Sequence, residues 1–156
     1  MERSFCMIKP DGVMRRLAGD VIGRIEKKGL RIAGLKMISM SQEQVSKLYK
    51  VHEGKSFYSK LVKFVTSGPV IVMVVEGHEA VKALRNLLGA TTGYEAAPGT
   101  IRGDYGLSRG KNVIHGSDSV ESAQYEIPIF FKDSELARYV QPDLDWCLEP
   151  DERGKE

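Results

Sequence analysis

Four short strand-like runs are spaced along the chain by segments of helical period, and no two of them meet across a tight hairpin turn. Phe5-Cys6-Met7-Ile8 reads as a buried strand that stops at Lys9-Pro10-Asp11-Gly12, a strong turn signal. Leu17, Val21 and Ile25 recur on one helix face, and Gly29 closes that helix. Arg31–Met40 alternates as a strand does, with a slip near Gly34 that predicts a bulge. Ser41-Gln42-Glu43-Gln44 is a capping box opening a helix that ends near Gly54. A second helix carries Phe57, Leu61, Phe64 and Val65 on one face and stops at Gly68-Pro69. Pro69–Val75 then reads as a strand buried on both faces, and Val81, Leu84 and Leu88 mark a helix that ends at Gly89. Ala90–Lys111 shows no clear period and Asn112–His115 is a last short strand. Asp118, with Glu121 three residues on, caps a final helix whose inner face carries Val120, Ala123 and Ile127.

The order β-α-β-(αα)-β-α-loop-β-α implies an α/β (α+β) sandwich. Its expected core is ferredoxin-like, βαββαβ, with an added helix pair and a long loop before the last core strand. At 156 residues a single domain is expected over 1–156, with residues 132–156 as a C-terminal extension. The nearly all-polar stretch Glu149–Glu156 is expected to fray.

Composition excludes several classes. A hydrophobic share of 42% and a charged share of 28% argue against disorder. The longest apolar run, Pro69–Val75, is far too short to cross a membrane. The net charge is only +2 and the pI about 8.5, so nucleic acid is not expected as the main partner. Cys6 and Cys147 make no CxxC pair, and Met1–Lys9 lacks the layout of a secretion signal; a cytoplasmic location is the expectation.

Chemistry concentrates in Asn112-Val113-Ile114-His115-Gly116-Ser117-Asp118-Ser119. A histidine at a strand end, just before a capped helix, faces free N–H groups and a partial positive charge that suit a phosphate. Neutral imidazole is a nucleophile near pH 7, provided an acceptor holds its other nitrogen. Glu126, two helical turns on, is the candidate acceptor. A lone strand-end histidine more often just donates to a backbone carbonyl, and only its Gly, Ser and Asp neighbours tilt the balance. Long structureless loops in compact domains tend to be functional. Arg102 in this one, with Arg85 and Thr91 before it, offers charge-assisted and hydroxyl bonds to a polyphosphate, or two ordinary surface ion pairs. Lys9 projects from a strand's carboxyl end, where α/β folds place ligands. Phe57 suits either base stacking or the core face it shares with Leu61. His52 and His78 have no ligand spacing and read as surface residues.

Two near matches fail. Gly106-Leu107-Ser108-Arg109-Gly110-Lys111-Asn112 is one residue short of a P-loop, ends in Asn, and precedes a strand instead of following one. Arg102-Gly103-Asp104-Tyr105-Gly106 puts Asp104 where an RNA-recognition strand needs a stacking aromatic.

Four motifs, taken in order, carry a resemblance. They are Ile8-Lys9-Pro10-Asp11-Gly12-Val13, Ser67-Gly68-Pro69-Val70, Pro98-Gly99-Thr100-Ile101-Arg102-Gly103-Asp104, and the His115 segment above. Over about residues 3–131 the chain closely resembles the nucleoside diphosphate kinase family. The resemblance implies transfer of a γ-phosphoryl group from a nucleoside triphosphate to a diphosphate, in ping-pong fashion, with broad base and sugar tolerance. It makes His115 the residue phosphorylated on Nδ1, with Glu126 orienting the ring and Ser117 supporting that contact. Lys9 and Tyr49 would reach the moving phosphoryl group, and Arg85, Thr91 and Arg102 the other phosphates. Asn112 and Lys9 would contact the sugar, and Phe57, backed by Leu61, the base. Mg2+ would arrive on the nucleotide, with no metal site in the protein, and Asp145-Trp146 resembles the tail of hexamer-forming members. The chain departs from the family at Thr92-Gly93, in place of an Asn-Pro type of sequence, and at Arg109, where an apolar residue is usual. The competing reading is a non-enzymatic nucleotide- or nucleic-acid-binding module on the same scaffold.

Overall fold

The computed structural model describes residues 1–153. β1 (Glu2–Ile8) runs into a turn at Lys9 and the short helix α1 (Pro10–Met14), whose leading proline occupies a position that needs no N–H. α2 (Ala18–Lys27), β2 (Arg31–Ile38), α3 (Gln42–Leu48) and α4 (Tyr58–Val65) follow, then β3 (Val70–Gly77) and α5 (Ala80–Leu88). The rest comprises α6 (Ile101–Tyr105), β4 (Ile114–Gly116), α7 (Val120–Phe130) and α8 (Leu144–Cys147). Among the described residues, no helix is long and apolar enough to cross a membrane.

The sheet order is β2-β3-β1-β4, with every neighbouring pair antiparallel. This is the ferredoxin-like arrangement expected from the element order. β3 is central and buried along its whole length, which explains its lack of alternation. The two faces carry separate cores. Phe5, Met7, Val72 and Val74 meet Val45, Tyr49, Val65 and Phe130 on one side. Cys6, Ile8, Met73 and Val75 meet Val21, Ile25, Leu84 and Leu88 on the other. Because side chains alternate along a strand, pairing of Met7 with His115 aims the histidine at the first of these faces.

The Ser41 capping box and the β2 bulge, between Ile32 and Gly34, form where the sequence places them. Elsewhere the local chemistry differs from the sequence expectation. The helix opened by Ser41 stops at Leu48 and continues only as a 3-10 turn, Lys50–His52, instead of reaching Gly54. The long loop contains α6, capped by Thr100, whose hydroxyl accepts from the Gly103 N–H. Five residues are too few to show a period. Ser119, rather than Asp118, caps α7 by accepting from the Ser122 N–H, while Asp118 accepts from the Ser122 hydroxyl. Val120 consequently faces solvent, and the inner face of α7 runs through Ala123, Glu126 and Phe130.

Residues after Phe131 fold back along β2. Leu136 joins the first core, and the Ala137 N–H donates to the Ala33 carbonyl at 2.7 Å. Gly34 admits this segment: a Cβ there would stand 2.9 Å from both Phe131 and Leu136. Of the stretch expected to fray, Glu149–Arg153 is tied down through an Arg153–Asp145 ion pair of 2.5 Å, and residues 154–156 lie outside those described.

Glu76 joins β1, β2 and β3. It is 5% exposed and accepts from Arg3 Nε at 2.6 Å and from Arg31 Nη2. Burial alone would raise its pKa, but the bonds from Arg3 and Arg31 together hold it below the usual carboxylate range. A depressed folded pKa means that this stabilisation is present above pH ~4.3 and is lost as pH falls through the folded value. Replacing Glu76 by Ala takes from Arg3 and Arg31 the buried carboxylate they share and leaves them Asp133 and the Tyr139 carbonyl, so thermal unfolding at pH 7 should reveal a loss of about 1–3 kcal/mol. At low pH the variant and the parent should converge.

Candidate active site

His115 sits at the middle of the three-residue strand β4, and its side chain is 22% exposed. Its Nε2 lies 3.0 Å from Glu126 Oε1. An ionised carboxylate can only accept, so Nε2 carries the proton and Nδ1 keeps a free lone pair. The Ser117 hydroxyl donates to the other oxygen of Glu126. Glu126 reaches the ring because α7 packs back across β1, turning its second buried position toward the strand end. The three residues expected to act together are therefore brought together.

Cations gather beside them. Lys9 is buried, and its Nζ donates to Asn112 Oδ1 at 2.7 Å. Burial, with Arg102 nearby, brings the Lys9 pKa down to about 8, against a weaker opposing pull from Asp11. Arg102 is 4% exposed and is bonded to neutral acceptors only: the carbonyls of Gly89 at 3.0 Å and Ile114 at 2.6 Å. Its Nε has no partner. Burial and the charge of Arg85 lower its pKa to about 10. Among the described residues Arg85 reaches only the Gly116 carbonyl, at 3.5 Å. Among the described residues, none of these three cations forms an ion pair with a carboxylate. Arg102 is thus more deeply knit into the backbone than its place in a loop suggests.

The aromatic side of the site comes from the helix pair. Tyr49 ends α3 and stands edge-on to His115, ring centroids 6.4 Å apart. Its hydroxyl is buried without a partner, and burial, reinforced by the charge of Glu126, pushes its pKa up, so it remains an O–H donor. His52, read from the sequence as a surface residue, lies half-buried between Tyr49 and Phe57, with centroids at 6.3 and 5.3 Å. Its three-residue spacing from Tyr49 was the available signal. Burial, Lys55 and His115 all lower its pKa. His78 is exposed, as expected. Phe57 is 47% exposed at the start of α4, while Leu61 packs into the core that holds Tyr49.

Thr91 enters through its backbone: its carbonyl and that of Arg109 accept from Asn112 Nδ2 at 2.8 and 2.9 Å. The side chains of Thr91 and Arg109 are exposed. The departure at Thr92-Gly93 has a steric account. A Cβ on Gly93 would stand 2.3 Å from the backbone of Gly106, so the loop closes on itself only with glycine there. Among the described residues, no three His, Cys, Asp or Glu side chains gather to hold a metal ion.

Known proteins share this arrangement along nearly the whole chain. The family profile described as nucleoside diphosphate kinase matches residues 2–136. Nucleoside diphosphate kinase of Staphylococcus epidermidis is 56% identical over 149 residues, 96% of this chain and 100% of that protein. The Archaeoglobus fulgidus enzyme of the same name is 54% identical over 96% of this chain and 99% of its own. A halophilic nucleoside diphosphate kinase from Halobacterium salinarum, solved in complex with CDP, superposes with a TM-score of 0.92 at 47% identity, covering 95% of this chain and 99% of that one. With the fold, the strand-end histidine and the sequence all in agreement, the chain belongs to the nucleoside diphosphate kinase family.

Proposed function

We propose that this enzyme moves the γ-phosphoryl group of a nucleoside triphosphate to a nucleoside diphosphate through a phosphohistidine at His115. The observation that carries this reading is the cluster of Lys9, Arg85 and Arg102: beyond the effect of burial, the charge of Arg102 bears on Lys9 and that of Arg85 on Arg102, and among the described residues none of the three has a carboxylate partner. Such a cluster is relieved by an anion of high charge, and polyphosphate fits it. That the Halobacterium salinarum relative holds CDP supports a diphosphate in the same place.

In the first half-reaction the Nδ1 lone pair attacks the γ-phosphorus, the bond to the β–γ bridging oxygen breaks, and the nucleoside diphosphate leaves with that electron pair. Glu126 accepts the Nε2 proton as a hydrogen bond and stabilises the positive charge that grows on the ring, with Ser117 fixing the carboxylate. The Tyr49 hydroxyl and Lys9 donate to the moving phosphoryl oxygens; Arg85, Arg102 and Thr91 hold the remaining phosphates. A second diphosphate then attacks phosphorus with a β-oxygen and restores the free imidazole. Asn112, held by Lys9, is placed for the sugar, and Phe57, with Leu61 behind it, for the base. The protein's groups here are cationic and, among the described residues, no carboxylate cluster gathers to hold a metal, so a divalent ion such as Mg2+ would come in on the nucleotide phosphates and would supply part of the charge neutralisation that phosphoryl transfer needs.

The active form is proposed to be a homohexamer. Trp146 is 91% exposed, Leu107 81%, and Met37 59% on the edge strand β2, apolar surface that suits contacts with further copies.

Three measurements test this reading. With γ-labelled ATP the protein should take up acid-labile, alkali-stable label, discharged by several diphosphates; His115→Ala should take up none while still binding nucleotide. Label retained by that variant would place the nucleophile elsewhere. The kcat/KM profile reports the free enzyme, so it should fall with an apparent pKa near the value of about 8 set for Lys9, since phosphates bind its charged form. A profile flat through pH 9 would remove Lys9 from the phosphate site. Sedimentation at micromolar concentration should give six copies, and a monomer or dimer would refute the assembly.

A further inference from the structure

The residue two places before His115 has an improbable backbone. Val113 is β-branched, fully buried, and has φ 74°. The Ile114 N–H donates to the carbonyl of Asn112 at 2.8 Å. Residues 112–114 therefore form a γ-turn of the positive-φ, strained kind, with Val113 at its corner. Strained backbone persists only where its surroundings over-determine it, and it gathers at functional sites. This turn lies between Asn112, which holds Lys9, and His115.

Two bonds from one segment fix it. The Lys9 N–H donates to the Val113 carbonyl at 2.8 Å, and the Val113 N–H donates to Asp11 Oδ2 at 3.0 Å. Both ends of the Val113 residue are thus gripped by the turn that follows β1. The other carboxylate oxygen, Asp11 Oδ1, is buried without a partner. A carboxylate that served only α1 would keep that oxygen in water. Without Oδ2 the buried Val113 N–H has no acceptor, and the peptide can relax toward ordinary negative φ. That rotation carries Asn112 Oδ1 off Lys9 Nζ and redirects β4 where it delivers His115.

We propose that Asp11 is a positioning residue for phosphoryl transfer: its carboxylate pins the Val113 γ-turn that sets Asn112 against Lys9 and aims His115 at the phosphate. The inference rests on the reading of His115 as the nucleophile. Asp11 also bears on Lys9 by charge. The groups facing the Lys9 ammonium are the Asp11 carboxylate, which favours its charged form, the Arg102 guanidinium, which opposes it, and the neutral Asn112 amide.

The test is the single-turnover rate of label uptake from γ-labelled ATP, alongside thermal unfolding, for the parent, Asp11→Ala and Asp11→Asn. Asp11→Ala removes the acceptor and should slow uptake roughly ten- to a hundredfold at a temperature where it is fully folded, the scale of an ångström of misplacement. Asp11→Asn keeps an oxygen acceptor for the Val113 N–H, so its rate at pH 6.5 should stay close to the parent's. Because it loses the negative charge, its alkaline limb should move to lower pH. An Asp11→Ala protein that keeps pace with the parent while melting earlier would make Asp11 merely structural and overturn the proposal. So would an Asp11→Asn protein as slow at pH 6.5 as Asp11→Ala, and that comparison with the parent decides the matter even if Asp11→Ala does not fold. If the parent itself takes up no label, it is the phosphohistidine reading that falls.

Discussion

Lys9, Arg85 and Arg102 repel one another at one corner of the molecule, and the surrounding structure is arranged to hold them there without neutralising them. Each head group is met by neutral oxygen: the Asn112 amide for Lys9, the carbonyls of Gly89 and Ile114 for Arg102, that of Gly116 for Arg85. A carboxylate in any of these places would satisfy the cation and cancel its field. Carbonyls orient the donors and leave the charge free for a ligand. Burial first, and a neighbouring positive charge second, make Lys9 and Arg102 hold their protons less firmly than usual. The two apolar cores beneath them supply the stability that such a cluster removes.

The same acceptors tie chemistry to fold. Gly89 closes α5, Ile114 begins β4, and Asn112 opens the turn between the long loop and that strand. Arg102, lying on α6, therefore fastens the loop to the sheet as well as facing the site. β4 is only three residues long because the backbone at Val113 breaks the ladder before Ile114. Pairing with β1 begins at Ile114 and places His115 opposite Met7, on the face where Glu126 approaches from α7. One residue of slip would turn the imidazole into the opposite core.

Much of this was legible in the sequence, and the reasons differ by element. The strand runs, the β2 bulge and the Ser41 cap follow from periodicity and local hydrogen bonding, which a chain carries in its own letters. The topology followed from element order, and the pairing of His115 with Glu126 from a strand end followed by a helix; the part of Ser117 came only with the family resemblance. What stayed hidden depends on partners distant in sequence. Arg102 looks like a mobile loop cation until the carbonyls of Gly89 and Ile114 are seen around it. His52 looks like a surface residue until Tyr49 and Phe57 close on it. The left-handed Val113 runs against every local preference of valine, so no reading of propensity finds it. Helix α6 was missed for a plainer reason, being shorter than two turns.

The contrast between the two halves of the site explains how one enzyme of this family serves many nucleotides. On the proposed phosphate side Lys9 and Arg102 are buried, and these two and Arg85 are braced by amide or backbone oxygens, so that in this mode of binding the part of the ligand common to all substrates meets fixed geometry. On the base side, in the proposed mode of binding, Phe57 is half-exposed at the first turn of a helix. Its ring offers a π-face, which every base can meet. Lys55, whose ammonium stands 5.8 Å from that ring, is an exposed, flexible cation rather than a rigid fork. Discrimination needs rigid polar groups that a wrong base leaves unpaired. In this proposed mode of binding the braced cations meet the phosphates, and tolerance of the base follows from where that rigidity is placed.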